Sequence, residues 1–285
     1  MRMAGILSLL CLPAWGMVTL PAIATAEYRD SIDRTFEVRA GGTLDIESDL
    51  GSITITTHAE PTVTLHIVRE IDSNDSELIE RLLDNLDIAF EQRGADVSVQ
   101  TKFHRHTNGF FAFLFDKEWI APRLTCQVEI PREYNIDFAL VDGDITIGDV
   151  TGMVHCQTVD GDIELENITG AVEAKTIEGD ILITGISGAL SAGSVDGDLT
   201  VVMSKVTGDD PLSFSSVDGD IDVTLPPETA AFLNATGVDM DMYTDFEVAL
   251  NGKLGRNAVR GAINGGGREI RMHTVDGNIY LRKGK

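Results

Sequence analysis

The fold is decided by residues 141–183, which read VDGDITIGDVTGMVHCQTVDGDIELENITGAVEAKTIEGDILI. The tetrapeptide Val-Asp-Gly-Asp at 141–144 returns at 159–162, becomes Ile-Glu-Gly-Asp at 177–180, and returns again at 195–198 and 217–220. Successive copies are 18 residues apart, except that the last interval is 22. A weaker Thr-Gly or Ser-Gly echo at 151–152, 169–170 and 187–188 divides each unit into two nonamers. Such a period indicates stacked copies of one small unit.

Apolar and polar residues alternate after the glycine of each nonamer, which is typical of a short strand with one buried face. A nine-residue strand-and-turn unit cannot bury that face alone, so the copies must stack. The sequence therefore predicts an all-β chain folded as a parallel β-solenoid with coils of about 18 residues. The side chains expected inside form five columns: Val141/Val159/Ile177/Val195/Val217, Ile145/Ile163/Ile181/Leu199/Ile221, Ile147/Leu165/Ile183/Val201/Val223, Val154/Val172/Leu190/Leu212 and Cys156/Ala174/Ala192/Phe214.

The same period appears at both ends of the chain, in residues 43–55 and 275–281, which favours one continuous solenoid with insertions. Residues 27–132 are expected to form N-terminal coils that act as a cap region, and 133–285 the regular solenoid. Residues 75–87 have the apolar spacing of one short helix, and residues 207–211 are expected to form a surface loop. Residues 103–119 are rich in phenylalanine and contain Trp119, which fits either a cap over the open end or an exposed binding patch.

Residues 1–26 have the layout of a secretory signal peptide: one charged side chain, Arg2, then an apolar stretch and a small-residue ending, Ala24-Thr25-Ala26. An uncleaved membrane anchor is the alternative, but Pro13, Pro21 and the Ala-x-Ala ending favour cleavage. The sequence therefore predicts a protein exported to the periplasm or the cell surface, with no transmembrane segment after cleavage of the signal.

The charge of the chain excludes some partners. Its 285 residues carry a formal net charge of −24, which argues against nucleic acid because phosphates are bound by lysine and arginine. Residues 133–252 carry most of the negative charge and contain only two basic residues, Lys175 and Lys205, whereas residues 253–285 are net positive.

Several short segments carry a resemblance to a known family. They are Val128-Glu-Ile-Pro131, residues 135–139 followed by repeated Gly-Asp-Ile units, and Ile263-Asn-Gly-Gly-Gly267 with Thr274-Val-Asp-Gly-Asn-Ile279 near the C-terminus. In this order they resemble the bacterial "putative adhesin" family of β-strand-repeat proteins, a domain of unknown function. The resemblance implies a β-solenoid in the cell envelope or outside the cell, with no established catalytic residues.

Two acidic columns follow from stacking the coils in register: Asp142/Asp160/Glu178/Asp196/Asp218 and Asp144/Asp162/Asp180/Asp198/Asp220. Like charges about 4.8 Å apart repel, and Ca²⁺ would offset the repulsion. The calcium-binding nonapeptide signature needs more glycines than this repeat has, however. We favour a structural role in which each aspartate hydrogen-bonds its own turn, and assign no metal site and no cofactor.

Enzymatic signals are weak because the carboxylate pair recurs in every coil, whereas an active site occurs once. The histidines show no zinc-type spacing beyond His104-x-His106, and Cys156 fits a small buried thiol better than a disulfide with Cys126. We assign no catalytic residue. The sequence favours a non-catalytic binding or structural protein that contacts an unidentified envelope or surface component. The alternative is a carbohydrate-active β-helix enzyme using acidic residues, with or without calcium.

Overall fold

The computed structural model describes residues 28–104, 121–206, 208–250 and 257–284, and within these ranges the chain is all-β with one helix. The N-terminal elements are β1 (Tyr28–Glu37), β2 (Thr43–Ser48), β3 (Ser52–His58), β4 (Thr62–Ile71), α1 (Ser76–Asp84), β5 (Leu86–Arg93), β6 (Asp96–Phe103) and β7 (Arg123–Pro131). The predicted signal peptide and almost all of the aromatic segment lie outside the described residues.

The central strands are short and come in pairs. They are β8 (Asn135–Leu140), β9 (Ile145–Gly148), β10 (Val154–Gln157), β11 (Ile163–Glu166), β12 (Val172–Lys175), β13 (Ile181–Ser187), β14 (Leu190–Gly193), β15 (Leu199–Lys205), β16 (Leu212–Ser215) and β17 (Ile221–Leu225). The C-terminal strands are β18 (Ala231–Asp239), β19 (Met242–Thr244), β20 (Val248–Leu250), β21 (Ala258–Ile263), β22 (Arg268–Asp276) and β23 (Ile279–Lys283).

Parallel strands stack in two sheets that face each other across the core. The odd-numbered strands β9 to β17 follow one another in one sheet, and the even-numbered strands β8 to β16 in the other. Ile145 pairs with Ile163, which pairs with Ile181, so the strands align in the register set by the repeat. Adjacent parallel strands lie about 4.8 Å apart, and the sequence copies therefore fall into straight columns.

Four of the five predicted core columns are buried, from the column beginning at Ile145 to the one beginning at Cys156. Val150, Ile168 and Ile186 add a further buried column where the chain passes from the sheet of odd-numbered strands to the sheet of even-numbered strands. All belong to one continuous cluster of buried apolar residues. The core is therefore a uniform stack of aliphatic layers, as the alternating pattern predicts.

The predicted column of Val141, Val159, Ile177, Val195 and Val217 is not inside, and this prediction is wrong: these side chains are 41–47% exposed. The residues that turn inward are their predecessors, among them Thr158, Thr176 and Ser194, which are 4–5% exposed. The Thr176 hydroxyl donates to the Gly161 carbonyl at 3.1 Å, and Ser194 makes the same contact to Gly179 at 3.2 Å. Because alternate residues of a strand face opposite ways, an inward hydroxyl leaves the next side chain outside.

The turn glycines allow the coils to stack closely. Gly161 has φ +151°, a conformation that L side chains rarely adopt, and a Cβ placed on it would lie 2.2 Å from the Gly143 carbonyl oxygen. The same contact recurs up the stack at Gly179 and Gly197. These positions cannot hold any larger residue without forcing neighbouring coils apart.

The ends of the solenoid do not follow chain order. β2 and β3 lie directly against β8 and β9, and β6 and β7 form the next layer outward, followed by antiparallel β4, β1 and β5. At the other end β22 and β23, the last strands of the chain, lie against β16 and β17, while β18 and β19 lie beyond them. Both sheets continue through both ends, but layers that are neighbours in space there are not consecutive in sequence. The division at residue 132 stays a prediction.

The helix begins where the sequence predicts and ends earlier. Asp75 caps it, because its carboxylate accepts hydrogen bonds from the backbone N–H groups of Glu77 and Leu78. The predicted end at Asp87 is wrong, since Leu86 already begins β5, which pairs antiparallel with β6. Residues 208–211 are exposed, as expected for the predicted loop, and residue 207 lies outside the described residues.

Both described cysteines are free thiols. Cys156 is buried beside Ala174 of the next coil, as predicted. Cys126 lies on β7, in the opposite sheet. Burial raises the pKa of the Cys126 thiol to about 12 and raises the pKa of Cys156 as well.

Replacing Gly161 with alanine should lower the free energy of unfolding by at least about 2 kcal/mol, because it combines a strained φ with a backbone clash. Gly148→Ala is the matched control, since a Cβ there meets nothing within 4 Å, and its effect should stay within about 0.5 kcal/mol. Urea unfolding of both variants measures the difference. Equal effects would show that the turn contact does not limit stacking.

Cys126 and Cys156 should react with iodoacetamide at pH 8 only after unfolding, because burial raises the pKa of both thiols and keeps them protonated, and Cys156 is also inaccessible to the reagent. For a chain that begins at Glu27, and so lacks Cys11, mass spectrometry without reduction should find two alkylations in urea and none in buffer. A disulfide mass, or rapid alkylation of Cys126 in buffer, would contradict this assignment.

Candidate functional site

One long edge of the solenoid carries three parallel columns of side chains, contributed by the turn that joins β10 to β11 and by its equivalents. The apolar ladder consists of Val141, Val159, Ile177, Val195 and Val217. The outer acidic column consists of Asp142, Asp160, Glu178, Asp196 and Asp218. The inner acidic column consists of Asp144, Asp162, Asp180, Asp198 and Asp220. Because each turn repeats the same four residues, every coil contributes one member to each column.

The outer acidic column is aligned as the sequence predicts. Each member forms a parallel β-bridge with the next, and Asp276 extends the column by one layer beyond Asp218. All of these residues are exposed, and within the described ranges none of their carboxylates has a hydrogen-bond donor or a cation as partner. Unit charges at about 4.8 Å repel by about 0.9 kcal/mol in bulk water, so this edge holds uncompensated negative charge.

The inner acidic column has a structural role, but not the predicted one. Asp144 Oδ1 accepts from the backbone N–H of Asp162 at 3.0 Å, and Asp162 Oδ1 accepts from that of Asp180 at 2.8 Å. The pattern continues through Asp198 and Asp220 to Asn278. The prediction that each side chain bonds its own turn is therefore wrong: it bonds the following coil. These carboxylates accept from turn N–H groups, which leaves the outer column as the unpaired one.

Four members of the apolar ladder, all except Val141, form one wall of an open groove of about 570 Å³. Thr158, Thr176 and Ser194 lie at its base, and Gln157 and Lys175 are among the residues of the opposite wall. Gly193 also lines the groove, and because it has no side chain, the wall opposite the ladder is shallow at that position. The sequence analysis placed this ladder in the core and so missed the groove. Counting the alternation from Val154 through Cys156 to Thr158 would have placed Val159 outside.

Three of the described histidines each lie beside a different aspartate. His66 Nδ1 lies 2.6 Å from an Asp33 oxygen, His155 Nδ1 lies 2.8 Å from Asp137, and His104 Nε2 lies 2.9 Å from Asp87. His106, the partner in the His-x-His pair, lies outside the described residues. Among residues 28–104, 121–206, 208–250 and 257–284, no group of three or more His, Cys, Asp or Glu is placed to hold a metal ion.

A family model described as Toastrack DUF4097 matches residues 134–282, from the strand before the first complete turn to the last strand. This chain belongs to the Toastrack DUF4097 family. The match includes every member of the apolar ladder and of both acidic columns. The resemblance to a family of β-strand-repeat proteins of unknown function is thereby confirmed. No curated protein matches the sequence.

Solved structures similar to this Toastrack DUF4097 chain share little sequence with it. A "putative cell adhesion protein" from Clostridium sporogenes is 11% identical over 90% of this chain and 100% of its own, with a TM-score of 0.35. A "putative adhesin" from Bacteroides fragilis is 15% identical over 89% and 97%, with a TM-score of 0.40. A "putative lipid binding protein" from Parabacteroides distasonis is 12% identical over 90% and 97%, with a TM-score of 0.37.

Across the described parts of the chain, no helix has the length and apolar character needed to cross a bilayer.

Asp180→Ala should lower the free energy of unfolding by about 1 kcal/mol, because it leaves the Asp198 N–H without its carboxylate acceptor. Asp160→Ala removes the same charge from the outer column without breaking a hydrogen bond, so its stability should be unchanged or raised. Thermal unfolding at low salt compares the two variants. A larger loss from Asp160→Ala would contradict the assignment of separate roles to the two columns.

Proposed function

We propose that this Toastrack DUF4097 protein is an exported, non-catalytic binding protein of the cell envelope that holds its ligand along the apolar ladder. The supporting observation is the exposure of five aliphatic side chains in one straight row, each 41–47% accessible to solvent. Single exposed apolar residues are common on protein surfaces, whereas contiguous apolar surface is typical of interaction sites. The groove beside the ladder gives a ligand a second wall to contact.

The arrangement of the carboxylates favours binding over catalysis. A glycoside hydrolase needs one acid and one base held in different environments around a single scissile bond. Here the carboxylate pairs are equivalent from coil to coil, and the inner member of each pair accepts a backbone hydrogen bond. Among the described coils, none has carboxylates whose surroundings set it apart as the place where a substrate bond would break.

The proposed location rests on the sequence of residues 1–26. A single arginine, an apolar stretch and an Ala-x-Ala ending together predict cleavage after Ala26 and export to the periplasm or the cell surface. N-terminal sequencing of the protein recovered from the producing cell should find a chain that begins at Glu27.

The experiment combines a binding screen with an activity screen. Purified wild type is tested against whole cell-envelope fractions, which contain envelope proteins as well as polysaccharides and peptidoglycan, with and without EDTA, and both retention and release of reducing ends are measured. We expect retention without release. The substitutions Ile177→Ser and Val195→Ser together should abolish retention, because they remove the centre of the apolar ladder.

The matched control is Leu182→Ser with Val202→Ser, which removes two comparably exposed aliphatic side chains from the outer face of the first sheet. This variant should bind as wild type does. Sustained release of reducing ends would contradict the proposal and support the alternative, a carbohydrate-active β-helix enzyme. Release abolished by EDTA would assign calcium a part in that activity.

A further inference from the structure

The apolar ladder and the outer acidic column form one composite surface. Every aliphatic rung is followed in sequence by an acidic residue, as in Val159-Asp160 and Ile177-Glu178, so the two columns run side by side. With about 4.8 Å between layers, the five rungs extend over about 19 Å. The surface therefore offers a ligand an apolar strip bordered on one side by a row of negative charge.

Charge limits what can occupy this surface. Residues 133–252 contain only Lys175 and Lys205 as basic residues. Lys175 lines the groove, but its ammonium group donates to Glu173 at 2.5 Å. A second copy of the same edge would place acidic columns against each other, and an anionic lipid surface would be repelled as well. A small cation would satisfy the carboxylates and leave the apolar ladder exposed.

Recognition at this edge must use side chains. The backbone groups of the turn are already paired between coils: the Asp160 N–H donates to the Val141 carbonyl, and the Glu178 N–H donates to that of Val159. The strands also run across the groove rather than along it, so a partner cannot extend either sheet there. Binding in this groove therefore differs from the addition of a strand to a sheet edge, where main-chain hydrogen bonds supply the affinity.

We propose that the groove binds an extended segment of a partner protein in which apolar and basic residues alternate. The proposal rests on the proposed function and specifies its ligand. An extended chain rises about 3.4 Å per residue, so about six residues match the length of the ladder. The apolar side chains of the segment pack against the ladder. The aliphatic stems of its lysines or arginines cross the ladder, and their charged ends meet the outer acidic column.

The probe is a fluorescein-labelled octapeptide of alternating lysine and valine, KVKVKVKV, titrated with full-length protein at low salt and followed by fluorescence anisotropy. Two further peptides separate the contributions: KSKSKSKS keeps the charge without the apolar side chains, and EVEVEVEV keeps the valines with the opposite charge. We expect saturable binding of KVKVKVKV only, weakened at least about tenfold in 0.5 M salt because exposed charges are screened.

Two pairs of variants locate the site. Ile177→Ser with Val195→Ser, and Asp160→Asn with Asp196→Asn, should each weaken binding of KVKVKVKV about tenfold or more. The controls Leu182→Ser with Val202→Ser, and Glu164→Gln with Glu166→Gln, make the same chemical changes on the outer face of the first sheet. They should stay within about twofold of wild type. Thermal unfolding of every variant confirms that it is folded.

Three results would overturn this inference: no binding of KVKVKVKV, equal binding of KSKSKSKS, or wild-type affinity in the ladder variant. Ladder-dependent binding to vesicles of phosphatidylglycerol and phosphatidylcholine, with no peptide binding, would overturn it in favour of a lipid ligand. If the peptide fails while the ladder still governs retention on envelope polysaccharide or peptidoglycan, the proposed function stands and this inference falls. Release of reducing ends would remove the proposed function itself.

Discussion

The structure depends on the contact between the turn glycines of successive coils. A Cβ on Gly179 would lie 2.3 Å from the Gly161 carbonyl oxygen, and a Cβ on Gly197 would lie 2.1 Å from that of Gly179. The Gly161 carbonyl receives its hydrogen bond from the inward hydroxyl of Thr176. That hydroxyl has to face the core, and the side chain that follows it has to face solvent. The exposed ladder is therefore a consequence of how the turn carbonyls are satisfied.

The period of the sequence was enough to predict most of the central fold. Residues such as Ile145, Val154 and Cys156 lie where the alternation places them, because in a regular stack the local pattern and the tertiary environment agree. The error at Val159 and Ile177 has a local cause. An apolar residue at the end of a strand resembles a core residue in sequence. Its exposure can be predicted only if the preceding threonine is recognised as the hydrogen-bond donor to a turn carbonyl, because that threonine must then face inward.

The ends of the solenoid were less predictable. Nothing in residues 43–55 shows that β2 and β3 lie between the layer formed by β6 and β7 and the layer formed by β8 and β9. Pairing between distant strands depends on which layers are free when the chain folds, and a single sequence does not record that order. The acidic columns were predicted in register. The hydrogen-bond partner of the inner column was not predicted correctly. An aspartate at this position could accept a hydrogen bond either from its own turn or from the next coil, and the sequence is the same in both cases.

The placement of β22 and β23 has a consequence for how the protein is made. These strands follow β18 and β19 in sequence, yet they form an internal layer, with β16 and β17 on one side and β18 and β19 on the other. Until they arrive, the end of the central stack presents unpaired strand edges, β18 is paired only with β21, and β19 lacks its partner β23. Residues 268–283 thus complete this end of the two sheets. A chain that stops before Arg268 would therefore expose those edges to proteases and to other chains.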